Sequence, residues 1–157
     1  MNSLIAILAL FFTPHLSIYC NARFGYCVDY PTTIDPQPES SNGDGRGFKN
    51  RAGETVLIVF GRRSVDVDGH PIPLGASYAS EVKELLSAKA DITYRKLGKD
   101  FFVLTGHKEG TLFYEKAVLK QDQLSESPAL GFAIVTFAKS EQAGFNELSS
   151  LVYHSLR

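Results

Sequence analysis

The sequence predicts an α+β fold, an antiparallel β-sheet of about six strands with two amphipathic helices packed on it. Three observations carry this. Segments 92–97, 101–106 and 112–119 are apolar-rich runs joined by Gly98-Lys99-Asp100 and His107-Lys108-Glu109-Gly110, short polar links with the glycine that hairpin turns need. Two segments repeat apolar residues at helical spacing: Tyr78, Val82, Leu85 and Leu86, then Phe145, Leu148, Leu151, Val152 and Leu156. Segments 55–60 (TVLIVF) and 130–138 (LGFAIVTFA) are apolar on both faces, which marks internal strands covered on two sides.

The elements follow in chain order. Residues 4–12 (LIAILALFF) are unbroken apolar. Such a run is far short of the about 20 residues that cross a bilayer, and fits the hydrophobic region of a secretory signal. Cys20-Asn21-Ala22 offers small residues at the last and third-last places of a cleavage site, so the expected division is a signal peptide over 1–22 and one α+β domain over 23–157. No Lys or Arg precedes the run, which leaves the amino terminus as its positive charge. A lipoprotein modification at Cys20 is the poorer reading, because Tyr19 is bulky where a small residue is wanted. Cleavage after Ala22 leaves Cys27 as a lone, buried, inert thiol, and an earlier cleavage leaves Cys20 and Cys27 able to pair.

Segment 23–30 (RFGYCVDY) alternates, with Phe24, Tyr26, Val28 and Tyr30 on one side, as in a half-buried strand that Pro31 stops. Residues 32–46 hold Pro36, Pro38 and the NGDG run and read as a surface loop. A short strand over 47–50, a turn over 51–54, the 55–60 strand and a second irregular stretch over 61–76 come next. Ser77 is the expected cap of the first helix, with Lys89 at its end, favourable to the helix dipole. After the three hairpin-linked strands, 121–129 is a polar loop, 130–138 a buried strand, and Ser140 with Glu141 opens the last helix.

The formal charge is −1 over 157 residues, with no basic excess to suit nucleic acid and no acidic tail to suit disorder. No transmembrane span is expected once the leader is removed. Candidate chemistry is sparse. Asp66, Asp68 and His70 alternate, so on an extended chain they share a face and form a candidate metal set, although such a trio is common in surface loops. Asn42, Asp44 and Arg46 in NGDGR are the candidate binding residues. The run lacks both the acidic count of an EF-hand and the Lys of a phosphate loop, so a tight turn is its main reading. There is no H-x-x-x-H, no G-x-S-x-G and no paired-carboxylate context, so no catalytic residues and no cofactor are expected.

FGYCVDYP (24–31), NGDGRGF (42–48), VLIVFG (56–61), ITYRKLGKDFFVLTGHKEGTLFYEKAVL (92–119) and LSSLVYHSLR (148–157) together resemble a group of uncharacterised small exported proteins of Gram-negative bacteria. That group is similar in turn to the PsbP-like α/β/α sandwich, the fold of a photosystem II extrinsic subunit and of a Ran-binding import factor. The resemblance implies a curved antiparallel sheet with helices on both faces, a periplasmic or secreted location, and no catalytic residues to carry over. The expected function is therefore a non-enzymatic binding or scaffold protein, with another envelope protein as the expected partner. Two rival readings are an immunity or inhibitor protein against a toxin or hydrolase, and a metal-dependent hydrolase built on Asp66, Asp68 and His70.

Overall fold

The computed structural model describes residues 15–157. The apolar run 4–12 lies outside them. Among the described residues the strands are β1 (Leu16–Cys20), β2 (Cys27–Pro31), β3 (Asp35–Pro36), β4 (Gly45–Lys49), β5 (Thr55–Arg63), β6 (Asp91–Leu97), β7 (Phe101–Lys108), β8 (Thr111–Gln121) and β9 (Pro128–Ala138). The helices are α1 (Leu74–Ser87) and α2 (Gln142–Ser155), the latter entered through a short 3₁₀ turn, Lys139–Glu141. The α+β class with antiparallel strands and two helices is as expected. β1 and β3 add to the expected strand set.

Seven strands form one antiparallel sheet in the order β3-β4-β5-β9-β8-β7-β6. The β6–β7–β8 meander closes through the two short turns read from the sequence. Glu109 and Gly110 both take positive φ in the second, 48° and 80°, so the turn follows the strand twist. Each face carries its own cover. α2 packs on β8, β9 and β2, while α1 packs on β6 and β7.

The β1–β2 hairpin shares the α2 side. Phe24 and Tyr26, from the link between its strands, reach down onto Gly61 and Gly131, which stand opposite each other on β5 and β9. A Cβ at Gly61 would lie 2.2 Å from the Phe24 ring, and one at Gly131 2.8 Å from Tyr26 Cβ. Two glycines thus clear the sheet floor for two aromatic rings that are 2% and 0% exposed. Tyr19, Val28, Phe48, Leu57 and Val59 complete this half of the core.

Two sequence expectations change here. The folded unit begins upstream of Arg23: Leu16–Cys20 pairs with β2 in full register, Tyr19 is buried in the core, and Asn21 is 2% exposed. A chain starting at Arg23 lacks all of this. Second, Cys27 is not a lone thiol. It is bonded to Cys20, its partner across the hairpin, with Cα atoms 4.1 Å apart. The pair exchanges no backbone hydrogen bonds, because the Cys27 N–H and C=O go to Arg157 at 2.9 and 3.1 Å. Cross-strand pairs of that kind bring side chains close, which is why the sulfurs meet. Smaller shifts also occur. Residues 22–24 form a turn, so β2 starts at Cys27. α1 starts at Leu74 after Pro73, which carries no side-chain cap, and Ser77 is buried inside it against Ser64 Oγ at 3.2 Å. Lys89 lies beyond the helix at φ 58°. β5 is fully covered on one face, where Leu57 and Val59 are buried, and partly covered on the other, where Phe60 is half-buried and Ile58 is 42% exposed.

Candidate functional site

A concavity lies on the α2 side, between α2, the open end of the β1–β2 hairpin and the β4–β5 turn. Its volume is about 870 Å³. Leu16, Pro31, Ile34, Phe137, Leu148 and Leu151 supply the apolar lining. Arg51, Glu141, Glu147 and His154 stand exposed around it.

Each wall has a local cause. Pro31 ends β2, and the turn after it closes with the Ile34 N–H on the Pro31 carbonyl at 3.1 Å, which tucks Ile34 inward. Leu16 is paired with Pro31 and stands 53% exposed at the mouth. On the far side Gly144 lets α2 settle near the Phe137 ring, where a Cβ would already be 3.1 Å away. Asn50 fixes the third wall. Its Oδ1 accepts from the N–H groups of Ala52 (3.0 Å) and Glu54 (2.9 Å), and its Nδ2 donates to Glu54 Oε2 (2.9 Å), so the turn presents Arg51 on a rigid base. The result is an open trough with an apolar floor and charges of both signs on its rim. Such a surface holds apolar chain segments.

The residues singled out from sequence sit elsewhere. Asn42 and Asp44 are brought together, but their polar atoms are spent on the fold. Arg23 Nη1 donates to the Asn42 carbonyl and to Asp44 Oδ1, both at 2.9 Å; Asn42 Nδ2 donates to Asp44 Oδ2 at 2.6 Å. Asn21 Nδ2 donates to the Gly43 carbonyl at 2.8 Å, and the Tyr26 hydroxyl to the Asp44 carbonyl at 2.9 Å. The NGDG run is a bend that locks the hairpin to the sheet. Arg46 leaves the group and lies over the Tyr19 ring, 4.6 Å from its centre. Arg23 and Arg63 also flank Asp122, at 3.7 and 3.8 Å. Burial works against charge on the Asp122 carboxyl, yet the Leu124 and Ser125 N–H groups, the Ser125 hydroxyl and Arg23 hold it below the usual carboxylate range.

Asp66, Asp68 and His70 do converge, with one ligand atom from each within 4.8 Å of the others, all three exposed. Asp66 is already engaged. Its Oδ1 accepts from the N–H of Asp68 (2.9 Å) and His70 (2.8 Å), and the His70 ring lies 3.3 Å from Oδ2. The His70 N–H above all keeps its carboxyl low. These bonds close the loop around Gly69. Among the described residues no helix is long and apolar enough to cross a membrane. The groove was invisible to the sequence reading because its parts come from five separate segments. Its one local signal, the apolar Leu16, falls inside the segment expected to be a signal peptide.

No family model matches the chain, and neither does any curated protein. Solved structures do. The chain is similar to the Saccharomyces cerevisiae Ran-binding protein Mog1p, in a crystal structure at 1.9 Å resolution, with TM-score 0.52 and 10% identity over 92% of this chain and 96% of that one. A mutant of protein Mog1 matches with TM-score 0.48 and 10% identity over 84% and 89% of the two chains. At such identity the likeness establishes a shared fold.

Proposed function

We propose that the chain is a non-enzymatic binding protein, exported to the periplasm or beyond, whose groove between α2 and the β1–β2 hairpin receives an apolar segment of another envelope protein. The observation that carries this reading is the groove. Its floor is apolar, and Leu16 and the rim charges are exposed, so it is an open trough of the kind that seats a polypeptide segment and not an enclosed small-molecule cavity. Arg51 and His154 on one hand and Glu141 and Glu147 on the other suit a partner segment with polar flanks of both signs. The Cys20–Cys27 bond supports export, since disulfides persist in oxidising compartments. The apolar run 4–12 and the resemblance to small exported Gram-negative proteins support the same compartment. The yeast protein's name gives it Ran binding, which supports protein binding on this fold only by analogy.

Two experiments test the proposal. The chain fused to a reporter active only outside the cytoplasm gives signal if export holds, and silence removes the compartment. A photo-crosslinking amino acid at Leu151, inside the groove, gives one discrete protein adduct in producing cells, whereas the same group at Leu124, exposed on the distant β8–β9 loop, gives none. Equal labelling from both positions, or none from Leu151, counts against groove binding.

A further inference from the structure

The opposite face of the sheet carries a second surface of different chemistry. One cross-sheet row runs Leu104, Glu115, Ile134, Ile58, Gly47, from β7 through β8, β9 and β5 to β4. Opposed residues in antiparallel strands share a face, so this row is continuous. Cover thins along it. Leu104 is fully buried, Glu115 is 5% exposed, Ile134 is half-buried and Ile58 is 42% exposed. The cause is the position of α1, which packs on β6 and β7, reaches β5 and β9 around Arg62, Leu130 and Phe132, and stops short of Ile134 and Ile58. β4 adds no side chain beside Phe60 and Ile58, because Gly45 and Gly47 are their partners; its next residue on that face, Lys49, lies against Thr55. The next row repeats the pattern, with Phe132 buried beneath a stacked, half-buried Phe60 at 4.8 Å.

Glu115 stands where the cover ends. Its Oε1 is buried and has no hydrogen-bond partner among the described residues. Buried polar atoms are nearly always paired, so an orphan carboxylate oxygen beside an open apolar shelf marks a missing partner. The charged groups around it are Glu81 and Glu84 on α1 and Arg62 on β5. Arg62 is committed to an ion pair with Glu81 and lies over the Phe132 ring at 4.7 Å. The direct neighbours on β7 and β9 are the uncharged Leu104 and Ile134, and on β6 Arg95 lies beyond Leu104.

We propose that the shelf of Ile58, Phe60 and Ile134 with Glu115 at its inner margin binds a basic amphipathic segment of a protein partner, apolar side chains lying on the isoleucines and a lysine ammonium reaching the Glu115 carboxylate. The occupant follows from charge complementarity. An apolar segment alone would leave Glu115 unmet, and an anionic one would face Glu81, Glu84 and Glu115 together. A lysine meets the carboxylate with a charge-assisted hydrogen bond. Burial first, and then Glu81 and Glu84, push the Glu115 carboxyl up to about 8, with Arg62 opposing. The empty shelf therefore keeps a proton at neutral pH, which a bound lysine displaces, so binding tightens as pH rises through that value.

The probe is the peptide acetyl-Ile-Lys-Ile-amide, with norleucine replacing lysine as the uncharged control, titrated into the folded chain and followed by NMR at pH 6 and pH 9. The lysine peptide is expected to shift the Ile58 and Ile134 methyl signals and to bind about tenfold more tightly than the control at pH 9, with that advantage shrinking at pH 6. Glu115→Gln, a neutral substitution of the same shape, is expected to abolish the advantage at both pH values. Ile58→Arg, at an exposed position that leaves the core intact, is expected to abolish binding of both peptides. Equal affinity for the two peptides, an advantage that survives Glu115→Gln, or shifts confined to other residues would overturn the assignment.

Discussion

Glu115 shows what a single residue contributes and how little of it could be read in advance. In FYEKAV it alternates with Lys116 inside a strand, and alternation alone does not say which polar side chain faces which cover. Lys116 faces α2 and is used. Its Nζ donates to the carbonyls of Tyr153 (2.7 Å) and Leu156 (3.0 Å), which finishes the helix end, while burial holds its ammonium below the usual lysine range with Asp100 opposing. Glu115 faces α1 and is half-used. The native carboxyl keeps its proton to about pH 8, whereas the unfolded chain releases it near the ordinary value of 4.5. Between those values the native state binds more protons, so stability is full below pH 4.5 and falls as pH rises through 8. The unfolding free energy is expected to drop between pH 5 and pH 9, by an amount on the order of a few kcal/mol at most. Glu115→Gln is expected to flatten that profile, and chemical denaturation across the range reads it. A wild-type profile as flat as the variant's removes the buried proton. The candidate residues that sequence did single out fared differently. Asn42 and Asp44 were legible as a bend because Asn and Gly tolerate the turn, and the bonds from Arg23, Asn21 and Tyr26 that fix it come from 18 to 22 residues away, beyond the reach of local pattern.

Elements with strong local periodicity were legible. Of the stripe Phe145, Leu148, Leu151, Val152 and Leu156, all are buried except the half-buried Leu151, and the meander strands β6 to β8 sit within two residues of their sequence bounds at each end. β1 was not, because LSIYC follows the apolar run 4–12 and Cys20-Asn21-Ala22 fits the pattern of a cleavage site. β3 is two residues long and leaves no periodicity to find. The β1–β2 hairpin is the element on which the α2-side core depends. A chain of residues 15–157 is expected to melt cooperatively, whereas a chain of residues 23–157 loses Tyr19, Asn21 and the disulfide and is expected to lack a cooperative transition. Circular dichroism melting separates the two, and equal melts would show β1 to be dispensable. Replacing both Cys20 and Cys27 by Ser, with a separation of 7 residues to constrain, is expected to cost about 2–3 kcal/mol. Denaturation with and without reductant measures it, the serine variant being indifferent to reductant. The exposed edge strand β6 carries Arg95, Lys96 and a bulge at Ile92/Tyr94, the usual guards against edge pairing.

At the scale of the whole molecule, two incomplete layers cover one sheet, and each layer leaves an apolar surface at its margin. α2 and the hairpin leave the trough beside Leu16 and Leu151; α1 leaves the shelf beside Ile58. The layered architecture was legible from the order of strands and helices. Where the layers end was not, since that depends on helix placement over the sheet and on glycines such as Gly47 and Gly144 whose effect appears only across it. The trough carries the proposed function, so the most direct measurement is the affinity of the purified partner identified by crosslinking at Leu151. Groove binding predicts that Leu151→Arg, which places a charge on the apolar floor, weakens the complex by roughly 30-fold or more, that the exposed rim variant Glu147→Lys weakens it less, and that Glu115→Gln on the opposite face leaves it unchanged. A Leu151→Arg chain that is folded and binds the partner as tightly as the wild type would contradict it.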